Sequence, residues 1–234
     1  MALNAVPEGA RVLDLGCAGG YMGQVLKDKK GCRVTGVDMY PPGAGFGLDR
    51  FIQCDLNDGP PDLDFAEFNY VLMLDIIEHI NAPERFVDQL REALSHAPDT
   101  RLLVSTGNIG FLITRAMLAL GQMNYGKRGI LDITHARLFT FASLRRLFEQ
   151  AGFRILATRG VPAPFPVALR NGALARLLLA FNRLGILIWR NLFSYQMFME
   201  IAPLPSLPYL LKTAVEKSAA RAAEAVPRSA DGRA

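Results

Sequence analysis

At 234 residues, half of them hydrophobic and 21% charged, the chain has the composition of one soluble globular domain and is neither collagenous nor wholly disordered. Its net charge of +4 hides a division: residues 1–100 carry 8 Lys/Arg against 16 Asp/Glu, and residues 101–234 carry 18 against 6. The second half is therefore expected either to meet something anionic, a phosphate, a lipid surface or nucleic acid, or to present a solvated basic face.

In chain order, the first nine residues have no basic or apolar signal region, so a secretory signal is not expected and a cytoplasmic location is. From Arg11 to Leu103, short β-branched runs alternate with helical stretches. That pattern predicts a doubly wound, mostly parallel α/β sheet. Seven strands are predicted, at 11–15, 33–38, 51–54, 68–74, 101–106, 153–158 and 194–201. A helix is predicted to start with Asn81 as its cap and Pro83 and Glu84 in its first turn, with Phe86, Leu90 and Leu94 at helical spacing. Another is predicted over 141–150, capped by Thr140 and ended by a left-handed Gly152. Two long stretches, 107–137 and 162–192, interrupt the rhythm as insertions. The domain is thus expected to span 1–203, followed by a basic tail, 204–234, whose last ten residues are expected to be disordered. The three cysteines, Cys17, Cys32 and Cys54, show no Cys-x-x-Cys spacing, which fits a reducing compartment better than a zinc or redox site.

The first predicted strand runs into Asp14-Leu15-Gly16-Cys17-Ala18-Gly19-Gly20, with a helix expected from Tyr21. Such a glycine-rich turn lets a ligand approach backbone N–H groups at a helix N-terminus. Asp14 selects the ligand by charge. A carboxylate there would repel a dinucleotide's pyrophosphate but attract S-adenosylmethionine, which carries an ammonium and a sulfonium and no phosphate. Asp38, ending the second strand, is placed to accept from both ribose hydroxyls. Asp55 is placed to accept from the adenine amine, with Met39 and Leu56 packing the purine; both acids can otherwise be read as turn residues.

The runs Asp14-x-Gly16-x-Ala18-x-Gly20, Gly36-Val37-Asp38, Cys54-Asp55-Leu56 and Leu74-Asp75-Ile76-Ile77-Glu78-His79-Ile80 resemble the class I S-adenosylmethionine-dependent methyltransferases. Ala18 stands where that family usually has a glycine. The resemblance covers about residues 11–155 and implies S-adenosylmethionine as cofactor, with Leu74 at the cofactor edge. Through Ser105-Thr106-Gly107-Asn108, Asn124-Tyr125-Gly126-Lys127-Arg128-Gly129 and Pro162-Ala163-Pro164-Phe165-Pro166, the chain is similar to methyltransferase domains beside or fused to family 2 glycosyltransferases and, more distantly, to ubiquinone-pathway O-methyltransferases. That likeness implies a glycosyltransferase partner and an acceptor in envelope or lipid-linked sugar metabolism.

Methyl transfer needs alignment and at most one base, for which His79 and then His135 are the candidates, each also open to a structural reading. At i, i+3 and i+4, Asp75, Glu78 and His79 are predicted to share one face of a helical turn. The ubiquinone-pathway relatives carry an acidic-x-x-Glu-His metal site there; Asp75 is a shorter acid, and capping rather than metal binding is the reading preferred. The second insertion is predicted to form a helix over 173–190 with Arg176, Arg183 and Arg190 in one basic stripe. That helix is either a lid or an interfacial helix on an anionic membrane, not a span. The chain reaches its first strand almost at once, so the insertions are expected to cover the site unless an upstream segment does. The expected function is methylation, favouring oxygen, of a small lipophilic or lipid-linked acceptor. The alternatives are a non-catalytic cofactor-binding module and an NAD-dependent oxidoreductase. Nucleic acid is not an expected partner, because the arginines interleave with leucines rather than aromatics.

Overall fold

The computed structural model describes residues 1–43, 47–165, 172–207, 209–211, 213–215 and 218. A short helix α1 (Ala2–Ala5) leads into β1 (Arg11–Leu15), α2 (Tyr21–Lys30), β2 (Arg33–Asp38) and β3 (Arg50–Gln53). Then come β4 (Tyr70–Leu74), a single 3-10 turn (Ile77–His79), α3 (Pro83–Ala93) and β5 (Arg101–Gly107). The chain continues through α4 (Leu112–Ala119), α5 (Phe141–Gln150), β6 (Phe153–Val161), α6 (Ala173–Ile188), α7 (Arg190–Phe193) and β7 (Gln196–Pro203).

The seven strands form one sheet in the order β3-β2-β1-β4-β5-β7-β6. Pairing is parallel except for β7, which runs antiparallel to both β5 and β6. Side chains alternate across each strand, so β1 sends Leu13 and Leu15 into one core with Met73, Phe148 and Phe153, and Val12 into the other with Leu26, Val34 and Leu103. Both faces are buried, which explains why these strands read as continuous apolar runs. The chain leaves β1 for β2 on one side, while β4 lies on the other. A cleft is therefore expected at their carboxyl ends.

Several boundaries differ from expectation for local reasons. The predicted cap Asn81 does not cap α3: Ala82 holds that position without a side-chain bond, and the Asn81 N–H donates to Asn57 Oδ1 instead. Thr140 does cap α5, forming a reciprocal capping box with Ser143, and Gly152 has φ +85°. Strand β4 begins at Tyr70 because Phe68 closes a preceding 3-10 turn, and its carbonyl accepts from the Thr100 hydroxyl. The second insertion is not one helix to Arg190. Trp189, at φ −144° and ψ 79°, breaks it, and Arg190 donates to the Thr158 carbonyl with its guanidinium 5.0 Å from the Phe141 ring centre. Only Arg176 and Arg183 remain of the predicted stripe. Residues 166–171 of that insertion and the tail's last ten residues lie outside the described residues.

Candidate active site

The turn after β1 is tied to β2 from both sides. Gly16 and Cys17 donate their N–H groups to the Val37 carbonyl, Ala18 N–H donates to Asp38 Oδ2 at 2.8 Å, and Tyr40 N–H donates to Asp38 Oδ1. Gly16 at φ +74° has no room for a side chain, because a Cβ there would lie 2.6 Å from Ile76 carbons. Gly20, also left-handed, caps α2, while Ala18 and Gly19 are exposed at the tip. Ala18 itself has φ +45°. It and Asp75, at φ +55°, are the non-glycine residues with positive φ among those described, and both sit in turns on the cofactor edge.

Asp14 is 4% exposed. Burial, reinforced by the Asp38 charge, pushes its carboxyl up to about 7, and the Cys17 thiol is pushed up to about 12 by burial and the same two acids. A buried acid beside an open backbone turn fits a cationic ligand, which would offset the cost of ionising it. Asp55 spends one oxygen on the Asn57 N–H and side-chain amide, the turn reading, and keeps the other. Met39 is exposed at the edge, and Leu56 is buried in the main core. Leu74 ends β4, paired with Ser105.

Asp75 and Glu78, on the turn that carries Ile76, line a cavity of about 240 Å³ together with Gly107, Ile130, His135, Tyr195 and Gln196 among others. His135, which lines it, meets the other predicted histidine, His79: their ring centres are 4.9 Å apart, edge to face. His79 Nδ1 lies 3.1 Å from the Thr134 carbonyl and His135 Nδ1 lies 3.0 Å from the Ile130 carbonyl. A carbonyl only accepts, so each Nδ1 is assigned the proton and each Nε2 is left as an acceptor. Asp75 accepts from Ser105 Oγ and Gln196 Nε2. Tyr195 and Gln196 went unnoticed in the sequence, where they read only as strand residues. Glu78 was visible, but only as part of an acidic motif.

That motif does not form the predicted helical turn. Asp75 precedes the 3-10 turn with a left-handed backbone, so Asp75, Glu78 and His79 do not share a helical face, and both Asp75 oxygens are engaged. No group of three or more His, Cys, Asp or Glu among the described residues is arranged to hold a metal ion.

The sheet order, the glycine turn after β1 and the acid ending β2 define a Rossmann-like methyltransferase of the S-adenosylmethionine-dependent class. Residues 2–158 match the family model described as a methyltransferase domain, and the chain belongs to that family; its cofactor is S-adenosylmethionine. It is 33% identical over 135 residues to a ubiquinone biosynthesis O-methyltransferase of Xylella fastidiosa, covering 54% of this chain and 53% of that protein. A protein of the same name from Idiomarina loihiensis is 27% identical over 168 residues, 65% of each chain. The chain thus spans about half the length of the first of these relatives. In fold it resembles an S-adenosylmethionine-dependent methyltransferase of Mesorhizobium loti, with TM-score 0.56 and 17% identity over 86% of this chain and 95% of that one. It also resembles a Burkholderia thailandensis 1,6-didemethyltoxoflavin-N1-methyltransferase, solved with S-adenosylhomocysteine, with TM-score 0.52 and 19% identity over 87% and 74%. Family membership sets the oxidoreductase alternative aside.

Proposed function

We propose that this domain methylates a hydroxyl of a small lipophilic or lipid-linked acceptor. The cofactor would lie across Asp14, Gly16, Ala18 and Gly20, with Asp38 on its ribose and Met39, Asp55 and Leu74 along its outer edge. When bound, it supplies a methyl carbon activated by a sulfonium leaving group, so the chain's own task is to bind, align and exclude water. The observation that carries the reading is the cavity lined by Asp75, Glu78 and His135, on a turn whose Ile76 packs against Gly16 of the cofactor turn.

The lipophilic part rests on α6. This helix buries its small and polar face, Ala175, Asn182 and Gly185, and leaves Leu174, Leu177, Phe181, Leu184 and Ile188 exposed within an arc of roughly 80°. Arg176 and Arg183 stand beside that arc, also exposed. An apolar face with flanking cations suits an anionic membrane surface. An open groove of about 630 Å³ at the end of α6, lined by Arg159, Ile186, Leu187, Trp189 and Arg190, suits a lipid phosphate. No helix among the described residues is long and apolar enough to cross a membrane. A glycosyltransferase partner, implied by the finer sequence likeness, is testable by co-purification.

The test is incubation with methyl-labelled S-adenosylmethionine and a cell lipid extract. Label is expected in the organic phase as a methyl ether. Label confined to water-soluble products would remove the lipophilic acceptor, and cofactor binding without any transfer would leave a binding module.

A further inference from the structure

Glu78 is 3% exposed, its Oε2 has no hydrogen-bond partner, and the residue lines the 240 Å³ cavity. A buried carboxylate oxygen without a donor is costly, on the order of 1–3 kcal/mol, unless a ligand satisfies it. The groups around it do not. Asp75 is occupied by Ser105 and Gln196, His135 by the Ile130 carbonyl, and Asp132 by the Thr134 N–H and hydroxyl. Tyr195 sits near the Ile130 N–H, His79 donates to Thr134, and Arg137 is paired with Glu84. Thr106 and Gly107 of β5 lie against the Glu78 carboxyl, and its buried Oε2 is left without a donor.

We infer that Glu78, rather than either histidine, receives the hydrogen bond and then the proton of the acceptor hydroxyl, with Gln196-anchored Asp75 and His135 shaping the space around it. This rests on the proposed O-methylation. As the acceptor oxygen bonds to the methyl carbon, the carbon–sulfur bond breaks with its electron pair passing to sulfur. The O–H bond breaks at the same time, and its proton moves to Glu78 Oε2. The balance is one methyl gained by oxygen and one proton gained by Glu78, which is returned to solvent before the next turnover. Burial raises this carboxyl to about 7, opposed by its own N–H, Thr106 and Gly107 and assisted by Asp75, so near neutral pH it can both take and release a proton.

Glu78→Gln is the discriminating variant. Its amide oxygen keeps the position facing Thr106 and Gly107, so the unpartnered position becomes an NH2 donor in place of an acceptor. With S-adenosylhomocysteine saturating, binding of phenol and of its methyl ether anisole is compared by nuclear magnetic resonance. Wild type is expected to prefer phenol by about tenfold or more, and the variant to lose that preference. In the labelled lipid-extract assay, the variant's turnover should fall about a hundredfold at unchanged S-adenosylhomocysteine affinity. Phenol that fails to bind wild type or shows no preference over anisole, a preference that survives in the variant, or retained turnover would overturn the inference. Failure of wild type to bind S-adenosylhomocysteine would instead overturn the proposed function. The conservative variant Glu78→Asp, one methylene short, should recover part of the phenol preference, which a purely structural role would not require.

Discussion

Asp14 and Glu78 are carboxyls that the fold keeps away from water, and both rise to about 7. Their unfolded values lie near 4, so between about pH 4 and 7 the folded chain binds more protons than the unfolded one. Their contribution is therefore fully present below the unfolded values and lost as pH rises through about 7. The chain without ligand should be more stable at pH 6 than at pH 8, and Asp14→Asn with Glu78→Gln should flatten that slope by an amount on the order of a few kcal/mol. Thermal melts across this range check it; a wild-type slope of opposite sign attributable to these two residues would refute the burial argument. Binding reverses the effect at Asp14, because a cationic ligand favours the ionised form. Around pH 7, calorimetry in buffers of different ionisation enthalpy should show proton release on S-adenosylmethionine binding that disappears in Asp14→Asn. Asp38 should matter differently. It holds the Ala18 and Tyr40 N–H groups as well as the proposed ribose position, so Asp38→Ala is expected to weaken cofactor binding by about 1.5–3 kcal/mol and to loosen the turn, whereas unchanged affinity would sink the assignment.

At the scale of elements, what was readable depended on how local the determining contacts are. The β1 turn and Asp38 are joined by two neighbouring strands whose order the alternation of apolar runs already implies, and the α5 cap needs only Thr140 and Ser143. The cavity is another matter. Asp75 meets Gln196 across 121 residues, and His79 meets Thr134 across 55, because the first insertion folds back over the β4 edge. No periodic pattern encodes such a meeting, so the sequence offers the histidines as separate candidates and gives no sign of the unpartnered oxygen of Glu78. Likewise, Asn81 reads as a cap in isolation but is displaced from that role by Asn57, itself held by Asp55. Coupling of the two sites through Ile76 gives an element-scale prediction. Gly16→Ala places a Cβ against Ile76 at a left-handed backbone position, so it should cost roughly 1–3 kcal/mol in stability and lower S-adenosylhomocysteine affinity together. Adding Ile76→Val to Gly16→Ala should recover part of both, and failure of that rescue would mean the two turns are not in contact through this side chain.

Over the whole molecule, charge and exposed apolar surface are divided along the chain. The acidic first hundred residues build the cofactor turn, while the basic remainder builds both insertions, whose apolar residues Leu112, Ile113, Leu118, Leu177, Phe181 and Leu184 are left in solvent. A soluble lid would be expected to turn its leucines inward; α6 instead packs through Ala175, Asn182 and Gly185, with Asn182 accepting the Ala163 N–H and donating to the Phe193 carbonyl. Those two hydrogen bonds fix which face points in, so the outward apolar arc is set by the fold rather than by a loose helix. Arg176 and Arg183 should each contribute about 1 kcal/mol near an anionic surface, while Arg190, engaged by Thr158 and Phe141, should contribute little. Accordingly, Arg176→Gln with Arg183→Gln should reduce sedimentation with phosphatidylglycerol vesicles by about tenfold or more in affinity, and added salt should reproduce the loss in wild type. Phe181→Asp should abolish binding even at low salt, because it removes apolar burial rather than attraction, and Arg190→Gln should change it least. All three variants should hold S-adenosylhomocysteine as wild type does. Wild-type protein that ignores these vesicles while methylating a water-soluble acceptor would make α6 an ordinary cover for the site, and equal losses from all three arginines would restore the uninterrupted stripe that the break at Trp189 rules out.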